Sequence, residues 1–301
     1  MAVFTGTVFH ALKNTLDSIV DDKTDGYEAN LDLTKFMRVR GMDDQYVDDL
    51  ETGGPGLAAE VAEGEEIPTG EVREGFVTRY RARKFGLRLI VTEEAIEDNK
   101  YDRVINAGGR LKRSLYKTAD IDAATILVRA TSSSYTGGDA VALASASHTL
   151  PAGGTFSNLM ATPMSPSRMA LIVATSQIKK FPGHDGITEG ALPVRVLYPT
   201  EQWAVWDGIL LSDKAPEPGA YNEINVAKRM NLTGVPLKYW DNTTTNWAVQ
   251  TDCENGLNWR WRRKPKSRTW VENSQELMQH SISARWARGW SDARCVLFVD
   301  A

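Results

Sequence analysis

Along the 301-residue chain the hydrophobic and polar positions change period several times, and each change predicts an element. Residues 34–47 ("TKFMRVRGMDDQYV") alternate loosely, as a strand does. An acidic stretch rich in glycine and proline follows, up to Gly70. Residues 71–91 ("EVREGFVTRYRARKFGLRLIV") alternate again, with Phe76, Tyr80 and Phe85 separated by charged residues. The pattern predicts a two-stranded ribbon with a long tip. Two strands alone are marginal in water, so the ribbon needs a surface to lie on.

At Thr92 the period changes. Thr92 suits an N-cap, and Glu93 and Glu94 favour the positive end of a helix. From Ala95 to about Arg129 the apolar residues Tyr101, Val104, Ile105, Leu111, Leu115, Ala119 and Ile126 recur at helical spacing. A helix of that length is on the order of 50 Å long. Gly108 and Gly109 interrupt it, each costing roughly 1 kcal/mol relative to alanine. They mark either a close packing contact or a place where the helix bends.

The rest of the chain mixes short elements. Residues 132–158 read as loop and short strand, 165–181 as a helix, and 191–199 as a buried strand stopped by Pro199. Thr200 suits the cap of a helix over Glu201–Leu211 with Trp203, Trp206 and Leu210 on one face. Strands are expected at 234–240, 246–251 and 256–263, and two more within 281–301 around a turn near Gly289–Asp292. Residues 1–33 read as an arm with one short helix near Phe9–Val20. The fold class expected is α+β.

Charge changes the picture locally. The net charge of -4 gives no global basic field that would point to nucleic acid. Yet from Asp43 to Glu66 there are nine acids and no base, and from Arg73 to Arg88 six bases and one acid. The ribbon's opposed charges can pair across its strands or with a neighbour. The two cysteines, Cys253 and Cys295, are far apart and show no metal-like spacing. No secretory leader and no apolar run long enough to span a bilayer is read, so no membrane partner is expected.

Catalytic constellations are missing from the pattern. His10, His148, His184 and His280 show no HExxH spacing, and no metal or cofactor is expected. His148 in "SHTLP" has no nucleophile elbow to serve. No glycine-rich phosphate loop follows a strand. "WRWRRKPKSRTW" (259–270) interleaves aromatics with bases, which suits single-stranded nucleic acid. The same alternation predicts a strand with tryptophan on the core face and arginine on a solvent or interface face, and that reading is preferred. Arg260, Arg262, Arg263 and Lys264 are therefore candidates for a basic interface or for nucleic-acid contact. No catalytic residue is assigned and no enzyme activity is expected.

Several stretches, in order, resemble a known family. "GLAAEVAEGEEIPTGEVREGFVTRYRARKFGLRLIVTEEAIEDNKYD" resembles the E-loop and spine-helix entry of tailed-bacteriophage major capsid proteins, and is most similar to the Mu-like prophage major head subunit group. "YTGGDAVALASASHTLPAGGTFSN" is similar to the segment after the spine helix, where a Phe-Ser-x-x-His-x-Leu pattern is usual. Ala144 stands here in place of the phenylalanine. "TEQWAVWDGILLS", "NLTGVPLKYWDNTTTNWAVQTD" and "GWSDAR" resemble later landmarks.

The resemblance implies the phage major capsid fold. Its parts are an N-terminal arm (1–33), an extended E-loop β-ribbon (34–91), a peripheral domain with the long spine helix (92–160 and 263–301) and an axial domain (161–262). It implies a structural subunit that assembles as hexamers and pentamers into an icosahedral shell around a double-stranded DNA genome, made in the host cytoplasm and carried in the virion. Its partners would be further copies of itself, a separate scaffolding protein, a portal, non-specifically contacted DNA and, as a further candidate, a decoration protein. Arg73, Arg79, Arg81, Arg83, Glu63, Glu65 and Glu66 would make intersubunit contacts, and Gly108-Gly109 would be the pivot of the spine helix. Some members form lysine–asparagine cross-links. The one lysine in residues 41–91, Lys84, lies near the ribbon's base, so no cross-link is expected. The alternatives are an encapsulin-type compartment shell and a single-stranded nucleic-acid-binding module using 259–270.

Overall fold

The structure is a computed structural model, and it describes residues 14–15, 18, 30–54, 56–70, 74–92, 101–214, 223–240, 245–272 and 277–300. The expected arm helix near Phe9–Val20, Arg73 and the residues after Thr92 up to 100 lie mostly or wholly outside these. Two four-stranded sheets form the body. The first has the order β1-β10-β11-β4, from β1 (Arg38–Gly41), β10 (Leu257–Glu272), β11 (Leu277–Trp290) and β4 (Arg83–Thr92). Strand β1 runs parallel to β10, and the other neighbours are antiparallel.

Helix α2 (Tyr101–Val128) lies across one face of this sheet. Its 28 residues make it about 42 Å long. Leu111, Leu115, Ala119, Ala123, Ile126 and Leu127 form its buried stripe. The strands answer with period two. Phe85 and Leu89 on β4 and Ile282, Ala284 and Trp286 on β11 pack into the same core. Trp286 is the centre of this contact. It stacks on Phe85 at 4.1 Å and on Trp259 at 5.3 Å, and its indole Nε1 donates to Asp122 Oδ2 of α2 at 2.8 Å. A short helix, α1 (Leu33–Phe36), packs beside α2, where the Leu33 backbone N–H donates to Asp120 at 3.0 Å.

The second sheet has the order β12-β9-β7-β8, from β7 (Pro193–Pro199), β8 (Thr233–Leu237), β9 (Trp247–Thr251) and β12 (Val296–Val299). Leu197, Val235, Leu237, Ala248, Val296 and Phe298 face the core shared with α2. Val196, Tyr198, Trp247, Val249, Leu297 and Val299 face a second core, closed by α3 (Arg168–Ile178), α4 (Trp203–Leu211) and α5 (Val226–Arg229). A sheet covered on both faces needs strands that are apolar throughout. This explains "VLFV" at 296–299, whose four residues are all buried.

Several expectations change in the tertiary context. Strand β12 pairs with β9 at the edge of the sheet formed within 161–262, whereas the sequence resemblance groups 263–301 with the spine helix. Its four consecutive apolar residues require burial on both sides. Strand β4 belongs to the first sheet, so the free ribbon is shorter than 34–91. It comprises β2 (Tyr46–Thr52) and β3 (Glu74–Arg81), paired antiparallel. Residues 34–47 hold α1, β1 and the start of β2. The basic run at 264–268 continues β10 past a register shift between Arg263 and Lys266, and Pro265 sits in that irregularity. A 3-10 turn at Thr200–Gln202 precedes α4, and no side chain caps it. Trp203 is exposed, and the buried stripe of α4 is Trp206, Ile209 and Leu210. Short strands β5 (His148–Thr149) and β6 (Thr155–Phe156) form a small hairpin beside the ribbon.

Truncating Trp286 to alanine removes the packing hub between sheet and helix. The expected loss is about 3–5 kcal/mol of unfolding free energy, measured by denaturant titration of the unassembled subunit.

Candidate assembly ribbon and its anchor

The ribbon's two faces do different work. Along β2, Val47, Asp49 and Glu51 turn toward the body, and Tyr46, Asp48 and Leu50 turn away. Along β3, Phe76, Thr78 and Tyr80 turn inward, and Val77, Arg79 and Arg81 turn outward. On the outer face Arg79 meets Asp48 across the strands with two bonds of 2.7 Å, and its guanidinium lies 4.5 Å from the centre of the Tyr46 ring. The Asp48 carboxyl is held below its usual range by this hydrogen bond. Such an exposed pair contributes little to stability but favours the observed register.

The inner face is a buried polar anchor. Asp49 forms an ion pair with Arg260 of β10, and both are largely buried. Ser291 Oγ donates to Asp49 Oδ2 at 3.1 Å and lies 2.7 Å from the Tyr80 hydroxyl. Asn258 Nδ2 donates to that hydroxyl at 3.2 Å, and the Arg260 guanidinium sits 4.8 Å from the Tyr80 ring centre. Burial pushes the Tyr80 hydroxyl up to about 12. Close approach is possible because Gly289 has no side chain. A Cβ there would stand 3.0 Å from the Tyr80 ring. At Gly138 a Cβ would stand 2.8 Å from Thr78 Oγ1, so the 137–138 turn also serves as a seat for β3.

Farther along the ribbon, Glu51 enters a small pocket with His184, Asp292, Arg294 and Asp139. Burial, reinforced by the Asp292 charge, raises the Glu51 carboxyl to about 8. Burial and the neighbouring Arg294 lower His184. At neutral pH both groups are therefore uncharged, and their 3.9 Å separation is not an ion pair. Burial would raise Asp292, but the hydrogen-bonded Arg294 guanidinium overrides it and holds this carboxyl low. Ligand atoms of Glu51, His184 and Asp292 all lie within 4.8 Å of one another, a spacing a metal ion could use. The Arg294 guanidinium, 2.6 Å from Asp292 Oδ2, already supplies the positive charge there.

The remaining sequence candidates have plain positions. His148 is buried, with Nδ1 2.6 Å from Asp139 Oδ2 and Nε2 3.1 Å from Asn158 Oδ1. Asn158 Nδ2 donates to the Leu143 and Ala293 carbonyls at 2.6 and 2.8 Å. The Ser-x-x-His-x-Leu stretch is thus a latch tying the loop to β12's approach. Arg260, a candidate for nucleic acid, is turned inward to Asp49 of the acid-rich β2. Arg262 and Arg263 are half-buried, Lys264 is exposed, and Arg263 donates to Ser283 at 2.8 Å. Arg83 sits 3.9 Å from Asp122, and Arg81 is exposed. Glu63, Glu65 and Glu66 are exposed at the tip. Gly108 is buried and Gly109 half-buried within an unbroken α2. Cys253 and Cys295 are free thiols, both raised by burial, and Cys253 donates to Asp292 at 3.0 Å. Sequence reasoning missed Asp49, Tyr80, Ser291, Asp292 and Arg294 as a unit. The "GWSDAR" stretch carried three of them without any indication that the ribbon would land there.

The family described as phage capsid protein matches residues 74–297, from the start of β3 to the middle of β12. This chain belongs to the phage capsid protein family. Solved structures agree in fold at low identity. The capsid of cyanophage P-SCSP1u matches with TM-score 0.59 and 13% identity over 88% of this chain and 86% of that one. Microbacterium phage Oxtober96 gives 0.54 and 11%, covering 89% of each chain. The virus-like particle from Pyrococcus furiosus gives 0.53 and 11% over 97% and 99%. No curated protein matches by sequence. The chain is a structural capsid protein, and its fold is that of shell subunits. Among the described residues no helix is long and apolar enough to cross a membrane.

The anchor of this capsid protein is pH-sensitive in a defined direction. Glu51 binds a proton more tightly in the anchored state (about 8) than when freed (4.5). The stability it adds is therefore complete below pH 4.5, declines as pH rises toward 8, and is gone above. Hydrogen exchange in residues 46–52, corrected for intrinsic rate, is expected to quicken between pH 6 and 9. In Glu51→Gln the protection should be the same at both.

Proposed function

We propose that this subunit builds the icosahedral shell around the double-stranded DNA genome of a tailed phage of the Mu-like group, as hexamers and pentamers and without enzymatic turnover. One observation carries the reading. The ribbon is rigidly seated at its base, yet its tip presents Leu57 and Ile67, 80% and 78% exposed, which its own chain leaves uncovered. Apolar side chains held out on an extended arm fit a subunit whose contacts are completed by neighbours. Many weak contacts of one kind become cohesive in a closed, symmetric network.

In this reading the β2–β3 ribbon within 34–91 is the E-loop, and 92–160 is the spine-helix segment. The axial domain is 161–262, joined by β12. Scaffolding is a separate protein, and a portal and a decoration protein are further partners. DNA meets the inner surface through its phosphates, independent of sequence. Assembly takes place in the host cytoplasm. Among the E-loop bases, Arg81 is the freest for an intersubunit contact. Arg79 and Arg83 each have a partner in their own chain but keep 62% of the side chain exposed. A nucleic-acid-binding module centred on 259–270 is disfavoured, since Trp259 and Arg260 are buried in the body.

Electron microscopy of the purified protein tests the reading. Closed shells containing nuclease-protected double-stranded DNA after expression with the phage's packaging proteins are expected. Subunits that stay dispersed under all assembly conditions would count against it. The glycine pair adds a second expectation. Gly108-Gly109 is the pivot at which α2 bends in immature shells. Replacing both with alanine should lower the yield of immature shells more than that of mature ones, read from sucrose-gradient fractions.

A further inference from the structure

A cavity of about 360 Å³ opens beside the ribbon's base, where β3, α2 and β11 meet. That size is within the range of small-molecule sites. Arg79, Arg83, Arg129 and Arg288 line it, and no carboxylate does. Arg79 is matched by Asp48 on the ribbon's outer face. The other three share one carboxylate. Asp122 Oδ1 lies 2.8 Å from Arg288 and 3.9 Å from Arg83, and Asp122 Oδ2 accepts from Trp286. Arg129 has no ion-pair partner among the described residues, and its guanidinium sits 4.4 Å from the centre of the Tyr135 ring. Asp139, the acid of the adjoining turn, is turned to His148. Burial lowers the Arg288 guanidinium against the pull of Asp122, and the Arg83 and Arg129 charges add to the lowering. The three guanidiniums therefore lie within one another's field. Two positive charges stand around one recess without a counter-charge among the described residues.

Arg129 directly follows the last residue of α2, and a cation there offsets the negative end of the helix. That accounts for Arg129 alone. It does not explain why Arg83 and the half-buried Arg288 converge beside it, since like charges gathered in a recess repel unless an anion joins them. The ring contact also holds Arg129 without using up its N–H donors, which suit an oxyanion. We propose that this cavity binds a small anion with a terminal phosphate, held by Arg83, Arg129 and Arg288. A terminal phosphate carries about 1.5 to 2 negative charges at neutral pH, against roughly one for each phosphodiester of DNA. The uncompensated charge of the recess matches the former. Arg83 stands at the corner where the ribbon's β3 gives way to β4. A bound anion therefore ties that corner to α2 and β11. The site goes beyond the shell reading and does not depend on it.

Titration of the full-length protein with inorganic pyrophosphate, followed by calorimetry at an ionic strength fixed with sodium chloride, tests the site. Saturable binding of one ion per chain is expected. Arg129→Gln should weaken it about tenfold or more, and Arg129→Lys by less. Arg268→Gln, which removes an exposed cation of β10 outside the cavity, should leave it unchanged. Arg129 is itself exposed and pairs with no described carboxylate, so its replacement leaves the fold intact. Hydrogen exchange in residues 78–83 should slow on adding pyrophosphate to the parent and not to Arg129→Gln. Absence of saturable binding, equal affinity in Arg129→Gln and the parent, or exchange at 78–83 that pyrophosphate leaves unchanged in the parent each overturns the proposal. A short DNA duplex separates the two sources of phosphate. Duplex that displaces pyrophosphate, and binds more tightly than it in an Arg129-dependent way, assigns the cavity to nucleic acid and overturns the small-anion reading. Duplex binding that is indifferent to Arg129→Gln, with pyrophosphate binding lost in that variant, upholds it.

Discussion

The buried pairing of Asp49 with Arg260 is the contact on which the rest of this subunit depends. A two-stranded ribbon has no face it can bury against itself, so it is ordered only where another surface accepts it. Here the accepting surface is polar. An ion pair in that setting adds little net stability over apolar packing, but losing one partner would cost several kcal/mol. The pair therefore sets position more than it adds strength. Side chains on a strand alternate, so a slip of one residue would turn Asp49 and Glu51 to solvent and put Leu50 or Thr52 where Glu51 meets Asp292 and Arg294. Tyr80, Ser291 and Asn258 close the same network, and Glu51 extends it one inward position farther along β2.

Strand β11 links the parts that matter. It passes through the tryptophan-rich packing against α2 at Trp286 and reaches the ribbon's anchor at Gly289, two residues before Ser291. One face of its sheet is covered by α2, and the second sheet, apolar on both faces, adds one of them to the same core. Such packed layers transmit displacement with little give. A shell of many copies needs that property, because each weak contact counts only if the body between contacts is stiff.

Much of the fold could be read along the chain. The long helix, the alternation in β4, the continuous apolar strand β7 and the charged ribbon each rest on a local period that survives any tertiary context. The misplaced pieces share a different cause. "VLFV" at 296–299 reads the same whether a strand joins one sheet or the other, and only the position of β9 decided it. Arg260 looked available because alternation reports which face of a strand a residue takes, not which distant side chain meets it there. The anchor drew Asp49 from one half of the chain and Ser291 from the other, and no spacing rule connects residues that far apart.

By itself, then, the order of residues determined the elements, the uneven charge of the ribbon and the membership of a shell-forming family, because these depend on local periodicity and on ordered motifs. The tertiary structure alone decided which acids face inward and that Arg294 stands where the Glu51, His184 and Asp292 side chains converge. Those are properties of side chains brought together across more than two hundred residues, and their energies depend on burial, which no single stretch of sequence contains.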